Sequence, residues 1–305
     1  MAFAVPVTTL CLCVLLLELM MGIFSNAFII RTILVSKSRT RDLKVIGNIL
    51  LVLAICTLCH SCMLVFNTFT YLFNDWIYVF HYLFYTVRFL VVYTTSSTSW
   101  FSSCLCFFYF VKIVNIGSGV FMWIQMHINK VISWMIVVSA LVSAVSSSLY
   151  IVELKKHFAR NTSATIINND QQHVTNQRIN PNLFFFFNCA PIFIMVVMSV
   201  STAITLMKHR QNKSSNLGAS TGINMSIYSS VICTMVYFAV FYSLTVVITV
   251  LYSLSIFDTQ HPAFWVMYAY INFYPVSQSG FIIYGTPHLK KAWLQMLYSV
   301  KCNGL

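Results

Sequence analysis

Long apolar stretches separated by short basic segments dominate this sequence. Seven stretches each supply the about 20 residues that a helix needs to cross the roughly 30 Å hydrocarbon core of a bilayer. The predicted spans cover residues about 7–30, 45–71, 79–111, 131–151, 181–207, 225–251 and 262–285. Within them, Glu18 and Arg88 are the charged residues. The pattern predicts an all-α membrane protein in which residues 1–305 form a single seven-transmembrane helix bundle.

Two further segments need separate interpretations. The interval from Ile113 to Asn129 lacks formal charges, but its amides, glycines and histidine predict a loop near the membrane surface, not an eighth span. Residues 287–298 have an apolar face at helical spacing, which predicts a short helix in the inner interface. That face consists of Leu289, Trp293, Leu294, Met296 and Leu297.

The basic residues predict the orientation through the positive-inside rule. With seven spans, one side of the membrane holds 13 of the 18 Lys and Arg residues, and the other holds the remaining five with four of the six Asp and Glu residues. We therefore predict a plasma-membrane protein with an extracellular N-terminus and a cytoplasmic C-terminus. The first apolar stretch is interpreted as a helix because it lacks the basic start of a signal peptide.

Composition excludes several function classes. Hydrophobic residues make up 59% of the chain and charged residues 8%, against about a quarter charged in soluble domains. The net charge of +12 lies in scattered short loops, so membrane lipid is the expected surrounding and nucleic acid is not an expected partner. The chain contains no catalytic, metal-binding or phosphate-binding signature. The sequence therefore predicts no enzyme, no metal and no cofactor.

Two residues are candidates for modification. The predicted outer loop from Val152 to Asn180 is long and polar, and it contains the sequon Asn161-Thr162-Ser163. We predict that Asn161 is glycosylated, since it is the sequon on the predicted outer side. Cys302, beyond the C-terminal helix, is a candidate for palmitoylation, and an unmodified thiol is the alternative.

The most specific motif lies in the third span and just beyond it. It reads Trp100-Phe-Ser-Ser-Cys-Leu-Cys-Phe-Phe-Tyr-Phe-Val-Lys-Ile-Val-Asn115 and is followed by Phe121-Met-Trp123. This block closely resembles the type 2 (bitter) taste receptors. Weaker resemblances extend over other spans, at Glu18, Gly22, Asn26, Phe28, Ile29, Ile49, Leu50, Leu53, Ala54, Ile55, Leu206, His209, Pro275, Ser279, Ile282, Ile283, Gly285, Pro287, Leu289 and Lys290.

Several positions depart from the pattern of that family. Thr57 stands where the family usually has Arg, Gln278 where it has His, Thr286 where it has Asn, and Asn224 where it has His. In relatives these polar groups help to hold the resting state, so a different local switch is expected here. A divergent branch of the family, from a non-mammalian vertebrate, would explain the pattern.

The resemblance implies a G-protein-coupled chemosensory receptor for bitter-tasting small molecules. An agonist would bind on the outer side, and the partner would be a gustducin-like heterotrimeric G protein. A homo- or hetero-oligomer is left open. The alternatives are a vomeronasal type 1-like chemoreceptor and a small-solute transporter.

The resemblance, together with helix geometry, also implies site residues. The expected ligand-binding positions are Arg88, Val91, Thr95, Phe241, Thr245, Tyr268 and Ile271. Arg88 either reaches into the pocket or extends to the outer surface. Expected G-protein contacts are Tyr109, Lys112, Lys208, His209 and Arg210. An expected structural network consists of Glu18, Asn26, Thr57 and Ser279.

Overall fold

The computed structural model describes residues 4–35, 41–72, 81–114, 118–167, 182–214, 222–253 and 261–303. Over these residues it contains nine helices and no strand. The helices are α1 (Ala4–Val35), α2 (Arg41–Leu72), α3 (His81–Ile113), α4 (Gly119–Met126), α5 (Ile128–Ile167), α6 (Asn182–Ser214), α7 (Gly222–Ser253), α8 (Pro262–Gly285) and α9 (Pro287–Asn303). The predicted all-α fold is confirmed, with one long helix for each predicted span.

Most helices are longer than the hydrocarbon core requires. A helix of 32 residues such as α1 is about 48 Å long, so its ends continue into the headgroup regions. The seventh predicted span has the same bounds as α8. This helix starts at Pro262, because Pro262 suits the first turn and the His261 side chain accepts a hydrogen bond from the Ala263 amide. The predicted starts of the third and fifth spans, at residues 79 and 181, lie outside the described residues.

Two loop predictions are wrong in part. The segment 113–129 contains α4, whose start is capped by Ser118, which accepts a hydrogen bond from the Phe121 amide at 3.4 Å. The predicted outer loop 152–180 is helical as far as Ile167. In this extension of α5, Lys156 and Glu153 form an ion pair at 2.9 Å. Ion pairs between residues three apart stabilise a helix that is exposed to water.

Two helices hold the bundle together. Helix α3 packs against α2, α5 and α6 and also contacts α4 and α7, while α8 packs against α1 and α7 and contacts α2. The five helices α1, α2, α5, α6 and α7 are long and apolar enough to cross a membrane. Helices α3 and α8 are long enough but more polar. Because their neighbours separate much of their surface from lipid, they can carry hydroxyl and amide groups.

The C-terminal helix lies against the bundle. Trp293 of α9 packs edge-on against Phe28 of α1, with ring centroids 4.9 Å apart, and Leu289 is buried. Leu294 and Leu297 are exposed and do not join this contact. The predicted apolar face of the C-terminal helix is therefore divided between the bundle and the surrounding interface.

Candidate ligand-binding region and switch

The predicted ligand-binding residues of α3 follow one another along the helix. The Arg88 guanidinium lies 5.4 Å from the centre of the Phe84 ring, one turn nearer the start of the helix. Thr95 donates its hydroxyl hydrogen bond to the Val91 carbonyl at 2.8 Å. Arg88, Val91 and Thr95 are all half-buried, so none is sealed inside the core. Arg88 therefore extends along its own helix toward the end that the sequence places outside.

The predicted residues of α7 and α8 lie partly together. Phe241 of α7 is buried and stacks on Tyr274 of α8, with centroids 5.9 Å apart and planes 20° apart. Thr245, one turn further along α7, is also buried and donates to the Phe241 carbonyl at 2.8 Å.

The other two predicted positions lie nearer the start of α8. Tyr268 is buried and stacks on Phe264 of its own helix. Ile271 is half-buried. The structure thus places Phe241 against α8 and leaves Tyr268 packed within the first turns of that helix.

A group of hydroxyls that the sequence did not single out joins α3 to α7 and α8. We call Ser102, Tyr242, Tyr274 and the Thr98 carbonyl the hydroxyl cluster. The Tyr242 hydroxyl lies 2.9 Å from the Ser102 hydroxyl, 3.1 Å from the Thr98 carbonyl oxygen and 2.5 Å from the Tyr274 hydroxyl. A carbonyl can only accept, so Tyr242 donates to Thr98 and accepts from Ser102 and Tyr274. One buried oxygen therefore ties three helices together.

The hydroxyl cluster also reaches α2. His60 is buried, its Nδ1 lies 2.9 Å from the Thr94 hydroxyl of α3, and its ring meets the Tyr274 ring edge-on with centroids 5.7 Å apart. Four helices therefore meet at one level of the bundle. A displacement of α7 at this level must move Tyr274 and the His60 contact as well.

A second polar group lies where α1, α2 and α8 meet. We call Ser25, Asn26, Thr57, Gln278 and Ser279 the amide junction. The Ser25 and Ser279 hydroxyls are 2.6 Å apart, and the Thr57 hydroxyl lies 3.3 Å from the side-chain amide oxygen of Gln278. Both contacts link helices distant in sequence.

The amide junction leaves polar atoms without partners. Asn26 donates to the Gly22 carbonyl at 2.8 Å, but its own side-chain oxygen has no hydrogen bond. The side-chain nitrogen of Gln278 is also buried and unpaired. The helices approach closely here, since a Cβ on Gly22 would lie 3.2 Å from the Pro275 side chain.

Three of the four residues of the predicted structural network lie in the amide junction. These residues are Asn26, Thr57 and Ser279. One carboxylate oxygen of Glu18 is buried with no hydrogen-bond partner. The role of Glu18 in this network therefore stays a prediction.

The predicted G-protein contacts lie at the end of the bundle where α3 and α6 finish. Lys112 and Lys208 are exposed. Tyr109 is within hydrogen-bonding range of the Thr286 side chain, which lies between α8 and α9. His209 and Arg210 belong to α6, and their side chains lie outside the described residues.

The same end of the bundle has a tight contact between α7 and α8. A Cβ on Gly285 would collide with the Thr234 side chain, so only glycine permits the observed spacing. Ser230 donates to the Tyr284 carbonyl at 3.5 Å in the same region. The start of α7 and the end of α8 are therefore held in contact.

The candidate modification sites lie on helices. Asn161 falls within α5 and Cys302 within α9, and the side chains of both lie outside the described residues. The backbone alone places Asn161 beyond the level of Lys155, whose ammonium lies over the Tyr85 ring of α3 at 5.1 Å.

Comparisons with known proteins give one consistent result. The sequence model of the family described as "Taste receptor protein (TAS2R)" matches residues 3–301. Taste receptor type 2 member 39 of Homo sapiens is 24% identical over 294 residues, which is 94% of this chain and 86% of that protein. Taste receptor type 2 member 9 of Homo sapiens is 26% identical over 299 residues, or 93% of this chain and 92% of that protein. Taste receptor type 2 member 114 of Rattus norvegicus is 24% identical over 291 residues, or 94% and 92%.

Proposed function

Because the chain belongs to the taste receptor type 2 family, it is a bitter taste chemoreceptor and not an enzyme, and we propose how its bundle couples an agonist to a G protein. The family membership does not favour the vomeronasal and transporter alternatives. The agonist is a small amphipathic molecule that enters the outer half of the bundle between α3, α7 and α8. Its path is lined by the predicted ligand-binding residues Arg88, Val91, Thr95, Phe241, Thr245, Tyr268 and Ile271.

The contact between Phe241 and Tyr274 carries this proposal. Phe241 is a predicted ligand position, and its stacking partner Tyr274 belongs to the hydroxyl cluster. An agonist that displaces the Phe241 ring therefore also moves the hydrogen bonds that Tyr242 makes to α3. Such a ligand changes the relative free energy of two packings of α7, as an activating ligand must.

The change reaches the other end of the bundle along α7 and α8. A rotation of α7 separates Thr234 from Gly285, and the movement of the α8–α9 junction releases Tyr109 from Thr286. These residues surround the face that carries Lys112, Lys208, His209 and Arg210. We assign this face to a gustducin-like heterotrimeric G protein, whose acidic groups the basic residues would attract.

The orientation in this proposal rests on charge. The ends of the helices that carry Lys112, Lys130 and Lys208 lie on the side with most of the basic residues, which the positive-inside rule assigns to the cytoplasm. The receptor then lies in the plasma membrane with its N-terminus outside. In this orientation α5 carries Asn161 toward the glycosylation machinery, and digestion with an endoglycosidase should raise the mobility of the wild type but not of Asn161→Gln.

An agonist screen tests the proposal directly. Cells that express the full chain with a gustducin-like G protein are exposed to bitter compounds, and calcium release is recorded. For an active compound, we expect Phe241→Leu to raise the half-maximal concentration at least tenfold. The matched control is Val240→Ala on the lipid-facing side of the same turn, where the side chain is 63% exposed.

Two results would contradict this assignment. Equal potencies for the wild type and Phe241→Leu would show that the agonist does not use the α7–α8 contact. A change of equal size in Val240→Ala would show that any alteration of α7 lowers potency. Surface labelling of each variant corrects for expression.

A further inference from the structure

A groove on the outside of the bundle lies where α3, α4, α5 and α6 meet. It has a volume of about 670 Å³. Apolar and aromatic side chains form most of its wall, and three of the six tryptophans of the chain belong to it: Trp100, Trp123 and Trp134. Lys130 and His127 lie at the end of the groove that faces the proposed cytosolic side. The groove therefore combines an apolar slot with a basic mouth.

A second groove begins on the other side of Lys130 and Trp134. It has a volume of about 360 Å³ and is lined by Asn129, Lys130, Ser133, Trp134 and Val137. Lys130 and Trp134 belong to both grooves, so they form a ridge between two apolar channels. The Trp134 side chain is 70% exposed on this ridge. The ridge therefore has one cationic group, with a groove on each side of it.

The charges around the ridge are of one sign. No acidic residue lines either groove, and Lys130 is exposed with no acidic partner among the described residues. His127 is held in place by its ring, which stacks on Trp123 with centroids 4.9 Å apart, and by its Nδ1, which donates to the Trp123 carbonyl at 3.1 Å. Its Nε2 remains directed away from that bond. The positive charge of Lys130 at the mouth of the groove would therefore attract an anion.

We propose that the two grooves beside Lys130 and Trp134 bind one anionic diacyl phospholipid, with its phosphate at Lys130 and one acyl chain on each side of Trp134. Two slots that diverge from one cation match a lipid with two chains and one charged headgroup. A sterol has one rigid body and a neutral hydroxyl, so it would fill the larger slot and leave Lys130 and the smaller slot without a partner. Trp134, one turn from Lys130 in α5, suits the boundary between headgroups and chains.

Another groove of the bundle provides an internal contrast. It lies between α6 and α7, has a volume of about 500 Å³ and is lined by Val196, Ser199, Val200, Val236, Ala239, Val240, Ser243, Leu244 and Val247. It contains no charged or aromatic residue. We expect it to hold acyl chains of any phospholipid without selecting a headgroup.

Tryptophan quenching tests the proposal on the full chain. The receptor is reconstituted into phosphatidylcholine nanodiscs that contain phosphatidylserine, and either lipid carries bromine on its chains. Both leaflets have the same composition, so the result does not depend on the orientation. We expect brominated phosphatidylserine to associate about fivefold more strongly than brominated phosphatidylcholine, which is the preference that one lysine near the surface supplies.

The variants separate this site from general attraction to basic residues. Lys130→Gln should abolish the preference and Lys130→Arg should retain it, while Lys291→Gln, an exposed lysine of α9, should retain it in full. Trp134→Phe should remove most of the selective quenching. In a Trp134→Phe background, a reporter in the contrast groove, Val240→Trp, should add quenching that is equal for both lipids.

Four outcomes would overturn the proposal. They are equal quenching of the wild type by both lipids, an equal loss of preference in Lys291→Gln, selective quenching that persists in Trp134→Phe, and quenching by a brominated sterol that exceeds quenching by either phospholipid. The last outcome would reassign the larger groove to a sterol.

Discussion

The hydroxyl cluster and the amide junction are both polar groups buried between helices, but they satisfy their atoms differently. In the hydroxyl cluster, the Tyr242 oxygen makes one donated and two accepted hydrogen bonds. In the amide junction, single contacts join the helices, and the Asn26 oxygen and the Gln278 nitrogen have no partners. Unpaired buried groups keep their desolvation cost, so the two regions contribute differently to the stability of this conformation.

This difference indicates where the bundle resists change and where it yields. Breaking the hydroxyl cluster removes three interhelical hydrogen bonds at once. Rearranging the amide junction can provide partners for atoms that now have none. We infer that the hydroxyl cluster stabilises the observed packing of α3, α7 and α8, and that α1 and α2 can shift against α8 at lower cost.

The departures from the family pattern lie in the weaker region. Thr57 and Gln278, which stand at positions where the family usually has Arg and His, contact each other across 221 residues of sequence. Neither side chain carries a full charge. A charged Arg at this depth needs a partner, whereas the single hydroxyl hydrogen of Thr57 already has one in the Leu53 carbonyl, at 2.8 Å. The two replacements are therefore structurally connected.

Introducing the Arg that the family usually has at position 57 should have the largest effect on the receptor. Thr57→Arg places a cation at a position that is fully buried, and a charge at the centre of a membrane helix costs about 3 kcal/mol. We expect surface expression to fall to a small fraction of wild type. Thr57→Arg combined with Gln278→Glu should recover much of it, since the two charges can pair. Flow cytometry of an extracellular tag measures both, and an unimpaired single variant would show that the junction has hidden room or water.

Breaking the hydroxyl cluster should have the next largest effect. Tyr242→Phe removes the acceptor for Ser102 and Tyr274, and three interhelical hydrogen bonds at about 0.6 kcal/mol each contribute about 2 kcal/mol. We expect a lower melting temperature of the purified receptor and a higher basal G-protein activity. The control is Tyr284→Phe, whose ring is exposed. Equal melting temperatures for the two variants would contradict the stabilising role of the cluster.

Crowding the amide junction should have an intermediate effect. In Gly22→Ala the new methyl group lies 3.2 Å from Pro275 and 3.3 Å from the Ser61 hydroxyl, and overpacking costs about 1 kcal/mol or more. Gly280→Ala is the control, since nothing lies within 4 Å of a Cβ there and alanine stabilises a helix by roughly 0.5–1 kcal/mol. Thermal unfolding should therefore shift in opposite directions. A shift of the same sign in both would argue against a close approach at Gly22.

Removing the weak contact should have the smallest effect. Gln278→Met deletes a buried nitrogen that has no partner, and Thr57 keeps its bond to Leu53. We expect the melting temperature to change by less than half of the decrease in Tyr242→Phe. A larger decrease would show that Gln278 has an essential partner and that the two regions are equally well satisfied.

The fold could be predicted from the sequence because charged side chains are energetically unfavourable in the hydrocarbon core of a membrane. The gaps between Lys, Arg, Asp and Glu residues outline the spans, and α8 agrees to the residue. The extension of α5 to Ile167 could not be predicted in this way. Lys155 and Lys156 mark the end of the apolar span, but they do not end the helix, because charged residues form helices in water.

The site was harder to predict because a polar group in a span reveals its depth but not its partner. Eight of the ten residues from 94 to 103 carry hydroxyls, which could have indicated that this part of α3 faces protein. Tyr242 and Tyr274 gave no such signal, since tyrosines also occur on lipid-facing surfaces. His60 lies near Thr94 only after folding. The sequence predicted Phe241 as a site residue but gave no reason to select Tyr242, which follows it in the chain and holds the hydroxyl cluster together.

The polarity of α3 and α8 also bears on how the protein is made. During synthesis each helix must leave the translocation channel, and the hydroxyls of α3 then have none of the partners that α5, α7 and α8 later provide. Exposing such groups to hydrocarbon is unfavourable, so α3 and α8 should wait at the channel until neighbouring helices can accompany them. We therefore expect the insertion of α3 and α8 to limit the yield of receptor, and insertion factors that retain polar helices to raise it.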